Sequence, residues 1–440
     1  MKHLSGVLLA FVLPWAGSFA AETRDQQVRN DLTNVVTAAK WVYNDLARGI
    51  DEAKRTGKPL LVTVRCIPCV ACQGFDARVL NYDPLIQDLM DRFVCVRIVQ
   101  ANGLDLRLFE HDYDLSFAAY FLNADKTIYG RFGSRSEHKN AEKEISMEGF
   151  RKAMLAALEL HRVYPANKGA LIAKRGSGPR FSVPEEFPSL KTKYTAKLNY
   201  DGKVAGSCIH CHQIRDAERL VYRTAGEPIP DKSLYPWPMP DIVGLALDPK
   251  EKATVKTVTL NSMAAKAGFR AGDEIVLLEG QPMVSIADVQ WVLHNAGSPG
   301  SLKMDVQRGG EHVALTLDLE KDWRRKSDIS WRPTSWDLRR MVTGGMVLKD
   351  STPEERQTLK LTDTDLALRV DYLGQFGDHA AGKKAGFQKN DVIINVNGKT
   401  AHSTESDLFG SLAQERMRGN QVPVSVLRAG NKLELQLPMQ

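Results

Sequence analysis

The pattern of apolar and polar positions in the first third of the chain predicts a small α/β domain. Residues 22–52 carry apolar side chains at roughly helical spacing, which predicts one helix that ends at Gly57-Lys58-Pro59. Short apolar runs bounded by polar turns then predict four strands, with helices between and after them. These elements are a strand over 60–64, a helix beginning within 69–80, strands over 93–99, 118–122 and 127–132, and an amphipathic helix over 144–163. This order is typical of an α/β sandwich over residues 21–163.

The remaining two thirds of the chain change character twice. Residues 164–240 are rich in glycine, proline and lysine and show weak periodicity, so we predict a linker segment there. After it, the run from Ala265 to Ile275 parallels the run from Gly382 to Ile393. This repeat predicts two copies of one domain, over 241–320 and 338–440. The connector over 321–337 lies in a stretch with three tryptophans, which favours an ordered, packed segment.

Length and composition bound the possible functions. The chain has 440 residues, enough for about three domains, and its 43% hydrophobic and 25% charged content is ordinary for globular proteins. Lysine and arginine number 59 against 53 aspartates and glutamates, a net charge of +6. No long basic run accompanies this mild excess, so we do not expect a nucleic-acid partner.

The N-terminus has the pattern of a secretory signal peptide over residues 1–20. A short cationic start at Lys2 precedes an apolar run, and Ser18-Phe19-Ala20 predicts cleavage before Ala21. The alternative is a membrane anchor, but the run is short for a spanning helix and Pro14 interrupts it. We therefore expect an exported, periplasmic or otherwise extracytoplasmic protein, with no transmembrane helix after cleavage, that is soluble or membrane-associated.

Five of the six cysteines fall in two tight clusters, which indicates redox or cofactor chemistry. In the first cluster, Cys69 and Cys72 follow a predicted strand and should open a helix. A helix N-terminus lowers the pKa of a cysteine thiol, and a second cysteine one turn on can resolve a mixed disulfide. Cys66 repeats the same spacing. Cys95 sits in an apolar strand and reads as a core residue.

Residues 30–160 resemble the thioredoxin fold, in particular its thioredoxin-7-like group. The resemblance implies that Cys69 attacks a disulfide and that Cys72 resolves it. Two features depart from the pattern: Cys66 is a third thiol, and Phe117 stands where thioredoxins have a cis-proline, a residue that shapes the substrate groove. The alternatives are metal binding by the three thiols, a peroxide or small-thiol substrate, or a scaffold with a structural Cys69–Cys72 disulfide.

The second cluster, Cys208-Ile209-His210-Cys211-His212, is a CxxCH motif typical of covalent c-type haem attachment. In such a site Cys208 and Cys211 form thioethers with the haem, and His212 binds the iron. Met239, in a proline-rich stretch, is the candidate sixth iron ligand. The alternatives are a zinc site, for which we see no further Cys–His pair nearby, and a second dithiol.

The repeated run, from Ala267-Gly268-Phe269 to Ile275 in its first copy, resembles bacterial PDZ domains of the protease-associated kind. The resemblance implies partly open β-barrels that bind protein C-termini, with a helix over 286–295 beside the groove. The carboxylate-binding loops would be Val243-Gly244-Leu245 and Gly344-Gly345-Met346, and Asn390 replaces the glycine of the Gly-Asp pair in the second copy. No Gly-x-Ser-x-Gly, Gly-Asn-Ser-Gly-Gly or His-Glu-x-x-His motif is present, so we do not predict a protease.

Taken whole, the chain resembles a bacterial Trx7/PDZ family, some members of which carry selenocysteine in the thiol cluster. The expected fold class is multidomain α/β and α+β. The leading hypothesis is an exported thiol oxidoreductase that acts on a disulfide or peroxide through Cys69, Cys72 and Cys66. A covalent haem would relay electrons to or from a redox partner, and the PDZ domains would dock partner C-termini. The alternative is a PDZ scaffold for electron transfer whose thioredoxin-like domain is structural.

Overall fold

The computed structural model describes residues 22–38, 40–67, 69, 72–137 and 143–440. The predicted signal peptide lies outside these ranges. No helix within them is both long enough and apolar enough to cross a membrane.

A five-stranded sheet forms the centre of the N-terminal domain, in the order β1-β3-β2-β4-β5. Strands β1, β3 and β2 are parallel, and β4 and β5 are antiparallel to their neighbours. The strands are β1 (Val42–Tyr43), β2 (Leu60–Arg65), β3 (Val94–Ile98), β4 (Phe117–Leu122) and β5 (Ile128–Phe132); the helices are α1 (Arg24–Ala38), α2 (Leu46–Thr56), α3 (Gln73–Leu80), α4 (Gln87–Met90) and α5 (Met147–Arg162). The predicted strands and the closing helix are confirmed, and so is the thioredoxin-like architecture.

The prediction of one helix over 22–52 is wrong. Helix α1 ends at Ala38, and Val42 and Tyr43 form a short strand that pairs in parallel with β3 at the edge of the sheet. Asn44 then takes a positive φ of 49°, and the Asp45 side chain accepts a hydrogen bond from the Arg48 N–H to begin α2. Apolar side chains on two separate helices and the intervening strand had mimicked a single helical period.

Side chains alternate between the two faces of the sheet. Leu61, Cys95 and Phe121 point to a core shared with α3 and α5. Their neighbours, such as Val62 and Val96, point to a second core. The period of two that marks a strand therefore divides these buried strands between two apolar layers.

The prediction of a linker over 164–240 is wrong, because this segment is helical and packs against the thioredoxin-like domain. It contains the helices α6 (Lys168–Leu171), α7 (Pro188–Lys191), α8 (Val204–Ser207), α9 (Cys211–Ala225) and α10 (Asp231–Leu234). Ile209, Ile214 and Ala217 pack in the second core of the sheet, and Ile209 is fully buried. The CxxCH motif is thus built into the thioredoxin-like sandwich.

The first C-terminal unit has the PDZ fold, and its sheets are open rather than closed into a barrel. One sheet has the strand order β11-β10-β8-β9, and β6 and β7 form a separate ribbon. Its elements are β6 (Leu245–Leu247), β7 (Val255–Val258), α11 (Met263–Lys266), β8 (Glu274–Leu278), β9 (Gln281–Pro282), α12 (Ile286–Asn295), β10 (Gly300–Arg308) and β11 (Glu311–Leu319). Helix α12 coincides with the predicted groove helix.

The second C-terminal unit is an open five-stranded sheet in the order β12-β13-β14-β15-β16. Each unit contains an equivalent arginine–aspartate ion pair. Arg308 binds Asp273 in the first unit and Arg428 binds Asp391 in the second, each with an Nε–Oδ1 distance of 2.7 Å. Asn390 supports the same turn at φ 71°. The elements are α13 (Ser335–Thr343), β12 (Met346–Asp350), α14 (Pro353–Leu359), β13 (Leu368–Leu373), α15 (Ala381–Lys384), β14 (Val392–Val396), α16 (Glu405–Glu415), β15 (Gln421–Arg428) and β16 (Asn431–Pro438).

Buried charges join the units. Lys174 Nζ lies 3.0 Å from Asp288 Oδ2, and neither side chain is exposed to solvent. Gly130 on β5 approaches the first PDZ unit so closely that a Cβ there would lie 2.0 Å from Val284. In the connector, Arg332 Nη1 reaches Asp112 of the thioredoxin-like domain at 2.7 Å. The connector is therefore packed, as its tryptophans predicted.

Candidate redox site where the two cysteine motifs meet

The structure brings the two cysteine motifs together. The Sγ atoms of Cys66 and Cys69 lie 2.7 Å apart. The Sγ atom of Cys66 also lies 3.2 Å from Nδ1 of His210, a residue of the CxxCH motif. Cys66 is buried, whereas Cys69 and His210 are half-buried, so the cluster is open to reagents on one side. The spacing of the cysteines in the sequence predicts two separate centres.

Asn102, just after β3, holds the CxxCH loop in place. Its Nδ2 donates to the Ser207 carbonyl at 3.0 Å, and its Oδ1 accepts from the Ile209 N–H at 2.7 Å. The Ala101 N–H donates to the Ile209 carbonyl at 3.1 Å. His210 follows directly as the N-cap residue of α9, with its N–H donating to Gln213 Oε1. These bonds place the imidazole over the end of β2.

A buried arginine holds the thiol loop. The Arg65 guanidinium donates to the carbonyls of Ser116, at 3.0 Å, and Cys69, at 2.6 Å. Its Nε also lies 3.1 Å from Asp76, which in turn pairs with Arg97 at 2.8 Å. The Ser116 carbonyl accepts a second bond from the Cys66 N–H at 3.0 Å. The Ser116 carbonyl, which directly precedes Phe117 at the position of the missing cis-proline, therefore already accepts two hydrogen bonds within the domain.

The hydrogen bond between the two thiols shifts their pKa values in opposite directions. The hydrogen bond from the Cys66 thiol is the largest of the effects that lower the pKa of Cys69 to about 7, while burial opposes it. The same bond and burial hold the pKa of Cys66 well above its ordinary value. Three cations favour the Cys69 thiolate further: Arg65, Arg135 and Arg24. Cys69 is therefore the more acidic thiol of the pair, and Cys66 is the one that keeps its proton.

Cys72 lies directly before helix α3 and is buried. Helix α3 begins at Gln73, so Cys72 rather than Cys69 occupies its N-cap position. The side chain is 4% exposed and packs with Phe75 and Phe117 in the aromatic core. Burial raises the pKa of Cys72. Cys95 is also buried in this core, as predicted, and burial raises its pKa to about 12.

Burial favours the neutral form of both histidines of the CxxCH motif. Burial, with a smaller contribution from His212, lowers the pKa of His210 to about 4. Burial also lowers the pKa of His212, whose ring stacks on that of His210 with 5.6 Å between centroids. The CxxCH pattern does not single out His210, because only the histidine after the second cysteine has a role in haem attachment. The third thiol at Cys66 was the one signal of an extra ligand in this region.

The packing described here does not fit a haem. Cys208 and Cys211 are 4% and 5% exposed, and burial raises the pKa of both thiols to about 12. Cys211 packs in the second core with Ile214, so thioether formation would need that core to open. Met239 packs against the separate core of the first PDZ unit. Haem attachment through Cys208, Cys211, His212 and Met239 stays a prediction of the motif.

The predicted peptide-binding loops are both ordered parts of the C-terminal units. In the first, Gly244 has a φ of 95° between the buried Val243 and Leu245. Helix α12 beside it is buried from Ile286 to His294 and contacts β5, where Ser285 Oγ donates to the Arg131 carbonyl at 2.5 Å. The groove helix is therefore clamped to the thioredoxin-like domain.

In the second unit, the edge strand β12 already has a partner. The Leu348 N–H donates to a Glu405 carboxylate oxygen at 2.8 Å, and Arg339 Nε donates to the same carboxylate at 2.9 Å. In the loop itself, the Gly345 N–H donates to the Arg339 carbonyl, and the Gly344 carbonyl accepts from Gly382. An added peptide strand would have to displace Glu405 to pair with this edge.

Comparison with known proteins agrees with the architecture. A family described as thioredoxin-like matches residues 41–124, and a PDZ domain family matches residues 239–319. The chain joins a thioredoxin-like domain to a PDZ domain. This combination is consistent with the thioredoxin/PDZ family that the sequence resembles.

Several curated relatives are proteases by name. The "Probable periplasmic serine endoprotease DegP-like" of Pseudomonas putida (strain GB-1) is 27% identical over 184 residues, 42% of this chain and 37% of the relative. The protein of the same name from Hahella chejuensis (strain KCTC 2396) is 23% identical over 404 residues, 87% of this chain and 80% of the relative. The "Periplasmic pH-dependent serine endoprotease DegQ" of Escherichia coli (strain K12) is 30% identical over 157 residues, 36% and 30% of the two chains. This chain therefore spans about a third of the length of two of these relatives.

A solved structure described as "HtrA-type protease AlgW with decapeptide" is 18% identical and has a TM-score of 0.19. The match covers 32% of this chain and 49% of that chain.

Proposed function

We propose that this protein is an extracytoplasmic thiol oxidoreductase in which Cys69 attacks and Cys66 resolves. The observation that carries the proposal is the 2.7 Å contact between their Sγ atoms, combined with the lowered pKa of Cys69. The predicted signal peptide and the word "periplasmic" in the names of the relatives support the location. The missing cis-proline and the occupied Ser116 carbonyl favour a small disulfide substrate over an extended protein strand.

The proposed reaction is a two-electron disulfide reduction. The Cys69 thiolate attacks one sulfur of the substrate disulfide and forms a mixed disulfide with it. The S–S bond of the substrate breaks, and its other sulfur leaves as a thiolate that takes a proton from water. The Cys66 thiol then loses its proton, attacks the Cys69 sulfur of the mixed disulfide and releases the second substrate thiol. The products are two substrate thiols and a Cys66–Cys69 disulfide, and an external dithiol must reduce this disulfide before the next cycle.

Neighbouring residues prepare these steps. The Arg65 bonds to the Ser116 and Cys69 carbonyls hold the loop, so that the two sulfurs meet without a large rearrangement. The His210 Nδ1 atom lies 3.2 Å from the Cys66 sulfur and can accept the Cys66 proton in a hydrogen bond. We assign resolution to Cys66 rather than to Cys72 because the Cys66 sulfur contacts the Cys69 sulfur.

A trapping experiment tests the assignment of the two roles. A Cys66→Ser variant incubated with a small disulfide should accumulate a mixed disulfide at Cys69, visible by intact-protein mass. A Cys72→Ser variant should turn over, and Cys95→Ser, which changes a core thiol of the same domain, is the control. Loss of resolution in Cys72→Ser, with normal resolution in Cys66→Ser, would assign the resolving role to Cys72.

The PDZ unit supports a second element of the proposal, docking of partner C-termini. A PDZ domain binds peptides by strand addition. Of the two units, the first has the family match, whereas the second has its edge strand paired with Glu405. We propose that the first unit docks the C-terminus of a partner protein, for which the thiol site's small substrate is a separate molecule.

The competing function is a non-catalytic scaffold with a structural thioredoxin-like domain. The buried contacts between the domains, such as Lys174 with Asp288, favour a rigid assembly in either case. A Cys69→Ser variant that retains all oxidoreductase activity of the wild-type protein would support the scaffold. Covalent haem is tested separately by optical spectra of protein exported from a host with haem-attachment machinery. Reduced α and β bands that survive denaturation and vanish in Cys208→Ala would show attachment.

A further inference from the structure

We propose that Cys66, Cys69 and His210 form a binding site for a soft metal ion of the copper(I) class. The ligand atoms of these three residues, Sγ, Sγ and an imidazole nitrogen, all lie within 4.8 Å of one another. They come from two loops that are 144 residues apart in the sequence. The proposal does not require the thiols to turn over.

The kinds of ligand atom select the ion. Thiolate ligands favour copper(I) and zinc over hard ions, and imidazole is compatible with both. Structural zinc sites almost always have four protein ligands in a tetrahedron. Among the described residues this cluster offers three, which suits a three-coordinate copper(I) ion.

The surroundings can carry the charge of such a complex. Two thiolates, one neutral imidazole and one monovalent cation have a net charge of −1. The His210 ring can enter the site through Nδ1, which lies 3.2 Å from the Cys66 sulfur. The positive charges of Arg65, Arg135 and Arg24 act on Cys69 and would offset the remaining negative charge.

The ligands are also held and reachable, as a binding site requires. Arg65 fixes the loop that contains both thiols, and Asn102 together with the N-cap of α9 fixes His210. Cys69 and His210 are half-buried, so an ion can reach them from one side. An ion about 2.3 Å from each sulfur would hold the sulfurs about 4 Å apart. Binding therefore separates the present 2.7 Å contact and excludes the Cys66–Cys69 disulfide.

The test uses full-length reduced protein titrated with copper(I) in competition with a chromophoric copper(I) chelator. We expect one tightly bound ion, with an X-ray absorption spectrum that shows two sulfur ligands and one nitrogen ligand. His210→Ala should weaken binding by at least about tenfold, the lower end of the loss caused even by outer-shell partners. His212→Ala, which changes the stacked neighbouring ring, is the matched control and should bind like the wild type.

Several outcomes would overturn the site. These are an absorption spectrum without a nitrogen ligand, equal affinity in His210→Ala, undiminished binding after oxidation of the Cys66–Cys69 pair, or a preference for four-coordinate zinc. The spectrum of the wild-type protein decides the question even if a variant does not fold. The two proposals are separable, because the absorption spectrum reports the ligands of the bound ion whether or not the thiols turn over.

Discussion

Cys66 and His210 are 144 residues apart in the sequence, yet the Sγ atom of one lies 3.2 Å from Nδ1 of the other. This contact joins the thioredoxin-like domain to the CxxCH segment. The thiols of the first motif and a histidine of the second therefore form one sulfur–nitrogen cluster.

The reactivity of Cys69 should depend on pH with a midpoint near 7. Below that pH the thiol is protonated and unreactive, and above it the thiolate dominates, because the pKa of Cys69 is lowered to about 7. The rate of alkylation by iodoacetamide, followed by peptide mass at Cys69, should rise through neutral pH and then level off. A midpoint near the ordinary thiol value would contradict the lowered pKa.

Removal of the Cys66 thiol should raise the pKa of Cys69. In Cys66→Ala the hydrogen bond that stabilises the Cys69 thiolate is gone, so the midpoint of the same alkylation curve should move to higher pH. The control is Cys95→Ser, whose thiol lies in the core away from this pair. An unchanged midpoint in Cys66→Ala would show that the arginines alone set the pKa.

The buried Lys174–Asp288 pair should contribute strongly to stability. Lys174→Met leaves the Asp288 carboxylate uncompensated in a site without solvent exposure, and breaking a buried pair in this way costs about 3–5 kcal/mol. Urea unfolding followed by tryptophan fluorescence measures the loss. The half-exposed Lys168–Asp125 pair is the matched comparison, and Lys168→Met should cost about 1 kcal/mol or less. Similar losses in both variants would mean that the interface between the domains does not rest on this pair.

Freeing the edge of β12 should create peptide binding in the second C-terminal unit. In the double variant Arg339→Met/Glu405→Ala the Leu348 N–H loses its carboxylate partner, and the arginine charge is removed with it. Isothermal titration with C-terminal peptides should then show a second site beside that of the first unit. A folded double variant that still binds one peptide per chain would show that the Gly344–Gly345 loop, not Glu405, closes this groove.

Local patterns in the sequence determined much of the architecture. Alternation and short apolar runs located the buried strands, and the repeated turn located both C-terminal units, because strand period and turn chemistry are properties of neighbouring residues. Asn390 could replace glycine since both residues tolerate a positive φ. The helix break at Val42–Tyr43 escaped this reasoning, because the strand exists only through its pairing with β3.

Only the tertiary structure decided which cysteines and histidines act together. Sequence spacing pairs Cys69 with Cys72 and Cys208 with Cys211, since residues three apart are natural partners on a helix. In the fold, helix α3 begins after Cys72, and the Asn102 bonds bring His210 to Cys66. Such contacts depend on the docking of α9 onto the far face of the sheet, a long-range packing event that no local pattern encodes.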